Sequence, residues 1–289
     1  IFIYSNFKAF GIKAFAYFLE YNGFLRYTSS GNKNYLSDRH LKKNFDAETG
    51  KITKSSSKTP TEYKQGNYIY LDGETNKIEL GKLVEKVIEE ENKDGHNIKI
   101  ILGSQAVSQG ISFKNVRQIH LLDPWFNLNQ QTQAAGRGIR KMSHAMLDKK
   151  QRNVTLFRHI AIFNPTDTSV DKEAYDYLMY KLAYKKFEGF SKIENILKKN
   201  AVDCYLNKFI NIFKQSDYDG DWIDVNPLAE REIENSYGDS QNQIIEDVDN
   251  SIMCNLNKCD YTCFPEEEPN PISLDSINMD TFNINFYND

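Results

Sequence analysis

Apolar positions along the chain change period several times, and each change marks an element. The run Ile1-Phe2-Ile3-Tyr4 has no polar lead-in and predicts a buried strand at 1–5. From Lys8 to Glu20, the positions Phe10, Ala14, Phe15, Phe18 and Leu19 predict an amphipathic helix, stopped near Asn22-Gly23. Tyr68 to Leu71 reads as a second strand, followed by a helix from about Lys77 to Asn92 that buries Leu80, Leu83, Val84, Val87 and Ile88. Near-continuous apolar runs at Ile98–Leu102, Ile119–Leu122 and Val154–Phe163 are the pattern of strands covered on both faces. From Lys172 to Phe213 the period is helical again.

Strands alternating with helices predict an α/β fold, a parallel sheet with flanking helices and functional loops at the carboxyl ends of its strands. The sheet domain is expected over 1–165, a small helical extension over 166–214, and a largely disordered acidic tail over 215–289. Residues 28–66 are rich in Ser, Lys, Thr, Asn and Gly, and are expected to form a flexible surface insertion outside the fold. A chain opening on Ile1, inside a strand, is expected to be cut from a longer one.

Charge is distributed unevenly. Residues 215–289 hold 18 Asp and Glu against 2 Lys and Arg, while residues 1–214 hold 22 acids against 34 bases. A basic body suits a phosphate backbone, because neutralised phosphates release condensed counterions. The acidic tail is expected to compete weakly with nucleic acid for that body. Four cysteines, and no apolar run of bilayer length, point to a reducing, soluble setting without disulfides. Cys254, Cys259 and Cys263 lack a nearby fourth ligand, so no metal site is assigned and unpaired thiols are expected.

No phosphate-cradling loop is present: Gly50-Lys51 and Gly81-Lys82 are followed by Ile and Leu rather than Ser or Thr. The candidate chemistry lies in Gln133-Ala134-Ala135-Gly136-Arg137-Gly138-Ile139-Arg140, ten residues beyond the strand end Leu122-Asp123. Arg137 and Arg140 are spaced to share one face of a helix or its first turn, where they could clamp one polyphosphate or, as a surface pair, make ordinary salt bridges, and Gly136 permits close approach of a neighbouring surface. Trp125 and Phe126 fit domain-interface packing better than base stacking, and His120 and His144 fit structural roles.

The stretch from Ile98 to His144 resembles the second RecA-like domain of superfamily-two helicases and their SNF2-like relatives. Within that group it is similar to the poxvirus-type early transcription factor and nucleoside triphosphatase family of large DNA viruses. Ile3 to Phe7 is similar to motif IV, Gly103 to Phe113 to motif V, and Gln133 to Arg140 to motif VI. Lys141-Met142-Ser143-His144 and Ala201-Val202-Asp203-Cys204 continue the likeness. One departure is Gln109, where the family usually has Glu.

The resemblance implies that Arg137 and Arg140 are catalytic arginine fingers, and that Gln133, Gly136 and Gly110 serve ATP. ATP and Mg2+ would be held mainly by an absent N-terminal RecA-like domain, without which this chain would be inactive. Ser5, Asn6 and Ser104 would touch nucleic acid, with DNA ahead of RNA. The expected protein is an ATP-driven helicase or translocase, intracellular, in host cytoplasm or virion, with a viral RNA polymerase as a further partner and no membrane. The alternative is a non-catalytic DNA-binding subunit of a viral transcription complex.

Overall fold

The computed structural model describes residues 1–54, 63–105, 110–162, 174–211, 231–243 and 246–264. In chain order the strands and helices begin with β1 (Phe2–Tyr4), α1 (Ala14–Tyr21), β2 (Leu25–Thr28), β3 (Gly31–Asn32), β4 (Lys43–Phe45), β5 (Ile52–Lys54) and β6 (Asn67–Leu71). Then come α2 (Lys77–Ile88), β7 (Ile100–Gly103), β8 (Gln118–Leu121), α3 (Leu128–Ala135) and β9 (Thr155–Arg158). The series closes with α4 (Tyr175–Asn200), α5 (Cys204–Asn211), β10 (Arg231–Glu234) and β11 (Ser240–Gln243).

Among the described residues one sheet runs in the order β3-β2-β6-β7-β1-β8-β9, and every pairing in it is parallel except β2 with β3. The side-chain period of two sorts the apolar runs onto both faces. Phe2, Tyr4, Ile69, Leu71, Ile101, Ile119 and Leu121 pack with Leu83 and Val87 of α2 and Ala134 and Ala135 of α3. Ile3, Tyr68, Tyr70, Ile100 and Leu102 face the other way, onto Ile12, Ala16 and Leu19. The expected α/β sheet with flanking helices is therefore the observed one.

The first helix turns a different face inward than its spacing predicts. Residues Lys8–Lys13 wind as a π-turn, with Ile12 N–H donating to Phe7 O at 3.1 Å, and this wider turn rotates the α-helical residues after it. Ile12, Ala16 and Leu19 are buried, whereas Phe10 is 94% and Phe18 58% exposed.

The region 28–66 is not the flexible insertion its composition suggests. Where it is described, it is fastened to the sheet. The buried Glu20 carboxylate accepts from Tyr68 Oη (2.6 Å), Tyr35 N (2.9 Å) and Leu36 N (2.6 Å). Burial first, and Glu20 second, push the Tyr68 hydroxyl far above its ordinary pKa. Phe45 stacks on Phe24 with centroids 4.0 Å apart, and Lys99 Nζ donates to the carbonyl of the buried Ala47. Few large apolar groups are needed when each one docks and one carboxylate ties down the backbone. Residues 55–62 of this region lie outside the described ones.

The expected boundaries near 165 and 214 also move. One unit comprises Ile1–Phe187 with Ala229–Ile245, and a second comprises Glu188–Leu228 with Glu246–Asp289. Part of the acidic segment thus folds. β10 and β11 form an antiparallel hairpin whose Glu234 carbonyl accepts from Arg117 Nη2 (2.6 Å) and Asn153 Nδ2 (2.9 Å). The tail at 212–230, 244–245 and 265–289, and the helical expectation over 163–173, lie outside the described residues.

In the second unit the expectation of unpaired thiols fails as well. Cys204 is joined to Cys263 and Cys254 to Cys259. A partner 59 residues away in sequence leaves no local spacing signal.

Candidate functional site

α3 is started by Asn127, whose Oδ1 accepts from Asn129 N at 2.9 Å, and it is held down by Leu128, Gln131, Ala134 and Ala135. It ends at Gly136. Arg137 and Arg140 therefore sit beyond the helix's carboxyl end, not on its face or first turn as their spacing suggests. The tight glycine is Gly138, since a Cβ there would lie 3.1 Å from Ile119 Cδ1 and Val116 Cβ. That contact presses the arginine turn against the start of β8.

Arg137 is tied to the segment after β7 in two ways: its carbonyl accepts from Phe113 N (2.8 Å) and its Nη1 donates to Ile111 O (3.2 Å). Burial, and then the charge of Arg140, lower its pKa, which marks the two guanidinium groups as electrostatic neighbours. Arg140 is exposed and donates Nε to Gly136 O at 3.3 Å, over the negative end of α3. Among the described residues no carboxylate forms an ion pair with Arg140. Behind it, Ser143 Oγ accepts from Arg140 N at 3.2 Å, and His144 donates Nε2–H to the Val116 carbonyl at 2.8 Å. Gln133 is exposed near the end of the same helix, and Gly110 adopts a φ of +79°, a conformation that favours glycine. Ala106 to Gln109 of the same loop lie outside the described residues.

The other group of candidates gathers at the opposite, carboxyl end of the strands, where β1, β6, β7 and β8 finish side by side. Asn6 follows β1 and donates Nδ2 to Asp123 Oδ2 (2.7 Å), which also accepts from Asn6 N (3.0 Å). Gln130 Nε2 of α3 donates to Asn6 Oδ1 at 2.9 Å, and Tyr4 Oη donates to the same oxygen at 3.1 Å. Ser104 follows β7 and its N–H donates to Leu71 O, the end of β6, at 3.2 Å. Ser5 does not fit a direct phosphate contact. It is fully buried, its hydroxyl is engaged with the N–H and carbonyl of Phe7, and a Cβ on Gly11 would collide with it. Lys8 is also committed, to Asp72 at 2.9 Å and to Glu74, and the two carboxylates raise its pKa.

Asp123 and Gln130 were given no role by sequence reasoning. The available signal was a single carboxylate closing an apolar strand immediately before Pro124. Trp125 and Phe126 lie 5.0 Å apart, with Lys186 Nζ 4.9 Å from the Phe126 ring centroid. His120 is paired rather than buried in a core: its Nδ1 lies 3.0 Å from His159 Nε2 and its ring stacks on Phe157.

A mostly parallel sheet flanked by helices is the α/β fold that the resemblance to the second RecA-like domain of superfamily-two helicases implies. Residues 41–142 match the helicase conserved C-terminal domain. The chain carries a helicase C-terminal domain of the kind encoded by large DNA viruses. It is 29% identical, over 74% of its length and 19% of the relative's, to a protein of Acanthamoeba polyphaga mimivirus named as an ATP-dependent RNA helicase. A protein of Invertebrate iridescent virus 3 named as a helicase is 28% identical over 76% of this chain and 20% of that protein. The termination factor NPH-I homolog of African swine fever virus is 26% identical over 72% of this chain and 31% of that protein. The chain thus spans between about a fifth and a third of these relatives. Among the described residues no helix is long and apolar enough to cross a membrane.

Proposed function

We propose that this chain supplies the second half of an ATP-driven helicase or translocase, with Arg137 and Arg140 as its arginine fingers. The observation that carries the reading is the pairing of two neighbouring guanidinium groups, one of them exposed and fixed by a backbone carbonyl without a carboxylate partner among the described residues. Such a group is open to an anion. A first RecA-like domain would hold ATP and Mg2+, and domain closure would bring the γ-phosphate to the arginines. Positive charge then meets the charge that develops on the phosphoryl oxygens, an effect worth roughly 10³ to 10⁵ in rate. Gln133 would reach the same nucleotide, and the Gly110 turn would pass its state to the loop after β7.

Nucleic acid would track the carboxyl edge, past Ser104 and the Asn6 network, with Ser5 as a buried support instead of a contact. DNA stays ahead of RNA in this reading. The NPH-I likeness favours work beside a viral RNA polymerase, inside the infected cell or virion. The chain by itself is expected to hydrolyse no ATP. The test joins it to a first RecA-like domain and changes Arg140→Ala. Nucleic-acid-stimulated hydrolysis should fall by about 10³; a rate near that of the parent would rule the finger out.

A further inference from the structure

Among its described residues the second unit has little with which to hold itself together. Phe190, Ile193, Ile196, Leu197, Leu206 and Met253 are all more than half exposed, and its buried cluster consists of Cys204, Cys254, Cys259, Cys263 and Tyr261, with Ala201 and Tyr205 packed against it. A core this small needs a covalent or metal staple. Four sulfurs in one buried cluster admit both. The segment 254–263 provides three cysteines at spacings of five and four, and the start of α5 provides the fourth, which sequence alone left 50 residues away. The backbone is shaped around the first of them. Asn255 and Leu256 both adopt positive φ, at 55° and 54°, an uncommon conformation for a leucine, and this turns the chain sharply after Cys254. Asp249 Oδ1 accepts from Cys259 N at 2.8 Å and Ser251 Oγ from Cys254 N at 3.3 Å, so both cysteine backbones are fixed from outside the cluster.

We propose that the two disulfides are the oxidised form of a tetrathiolate metal site, with Cys204, Cys254, Cys259 and Cys263 as ligands to a single Zn2+. With the sulfurs paired as they stand, no group of three or more His, Cys, Asp or Glu among the described residues is arranged to hold a metal. Two equivalents of a dithiol reductant deliver four electrons and four protons, cleaving both S–S bonds to four thiols and leaving two oxidised reductant disulfides. Zn2+ then replaces the four thiol protons, giving the closed four-sulfur coordination typical of structural zinc. The four cysteines already share one buried cluster, with Cα separations of 5.8 Å for Cys204–Cys263 and 5.1 Å for Cys254–Cys259 within the pairs. Two equivalents of a disulfide oxidant would take up the four electrons, release Zn2+ and restore both S–S bonds, so the unit keeps a staple in either redox state.

The test uses the full 289-residue chain, reduced anaerobically, freed of reductant and titrated with Co2+ as a spectroscopic stand-in for zinc. Saturation at one equivalent is expected, with the visible bands of tetrahedral cobalt and strong near-ultraviolet thiolate charge transfer, both abolished by Zn2+. The unreduced chain should show neither. Cys254→Ser should weaken binding at least tenfold, whereas Cys204→His should keep the tetrahedral bands and lose about a quarter of the charge-transfer intensity, since three sulfurs remain of four. Absence of tetrahedral bands in the reduced wild-type chain overturns the proposal, as does equal binding before and after reduction. Charge transfer undiminished in Cys204→His would remove Cys204 from the site and overturn the four-sulfur assignment.

Discussion

The Asn6 side chain and backbone both donate to one oxygen of Asp123, at 2.7 Å and 3.0 Å, across 117 residues of sequence. That oxygen locks the end of β1 to the end of β8, and Gln130 extends the lock to α3. Asp123→Ala strands two donors in a partly buried place, so urea unfolding should show a loss of about 2–4 kcal/mol. Asp123→Asn keeps one acceptor and should lose less than half of that. Equal effects for the two variants would mean that the carboxylate's hydrogen bonds are not what holds these strand ends.

The two arginines should separate by stability although they are proposed to act together on ATP. Arg140→Ala removes an exposed group and should leave the unfolding free energy within about 0.5 kcal/mol. Arg137→Ala gives up the bond to the Ile111 carbonyl and should cost about 1–2 kcal/mol. In a protein completed by a first RecA-like domain, both should cut hydrolysis by a similar factor. Denaturation curves and steady-state rates on the same preparations check this.

Glu20→Ala would leave the Tyr68 hydroxyl and the N–H groups of Tyr35 and Leu36 without their acceptor. A destabilisation of about 3–5 kcal/mol is expected, together with faster proteolysis between residues 28 and 54. If cleavage in that stretch stays as slow as in the parent, the carboxylate does not fasten it.

Burial, and then the neighbouring His159, lower the His120 pKa to about 4 from an ordinary 6.5. The unfolded chain therefore binds this proton first on acidification. His120's contribution to stability is fully present above about pH 6.5, declines as pH falls toward about 4, and changes no further below that. His120→Asn should flatten that part of the stability profile, as read from urea midpoints measured between pH 4 and 7.

How much was legible in the sequence depends on how local each cause is. Ile3, Leu71, Leu102 and Leu121 announce buried strands because strand burial is written into consecutive residues. Arg137 and Arg140 stand out because motif spacing is equally local, although their place beyond Gly136 depended on where α3 stops. Glu20, Asp123 and Cys204 were silent because each acts on a partner at least 15 residues away. Phe10 misled in the opposite direction: a single π-turn shifted the helix's face, and no hydrophobic period encodes that shift.

The hairpin β10–β11 belongs to the first unit but is spliced between two stretches of the second. A nascent polypeptide that has emerged only as far as residue 214 lacks Glu234, the acceptor for Arg117 and Asn153, and lacks three of the four cysteines. The first body has all its residues once translation has passed 245, the second gains its fourth cysteine only at 263, and no single cut inside residues 188–245 would release either one whole.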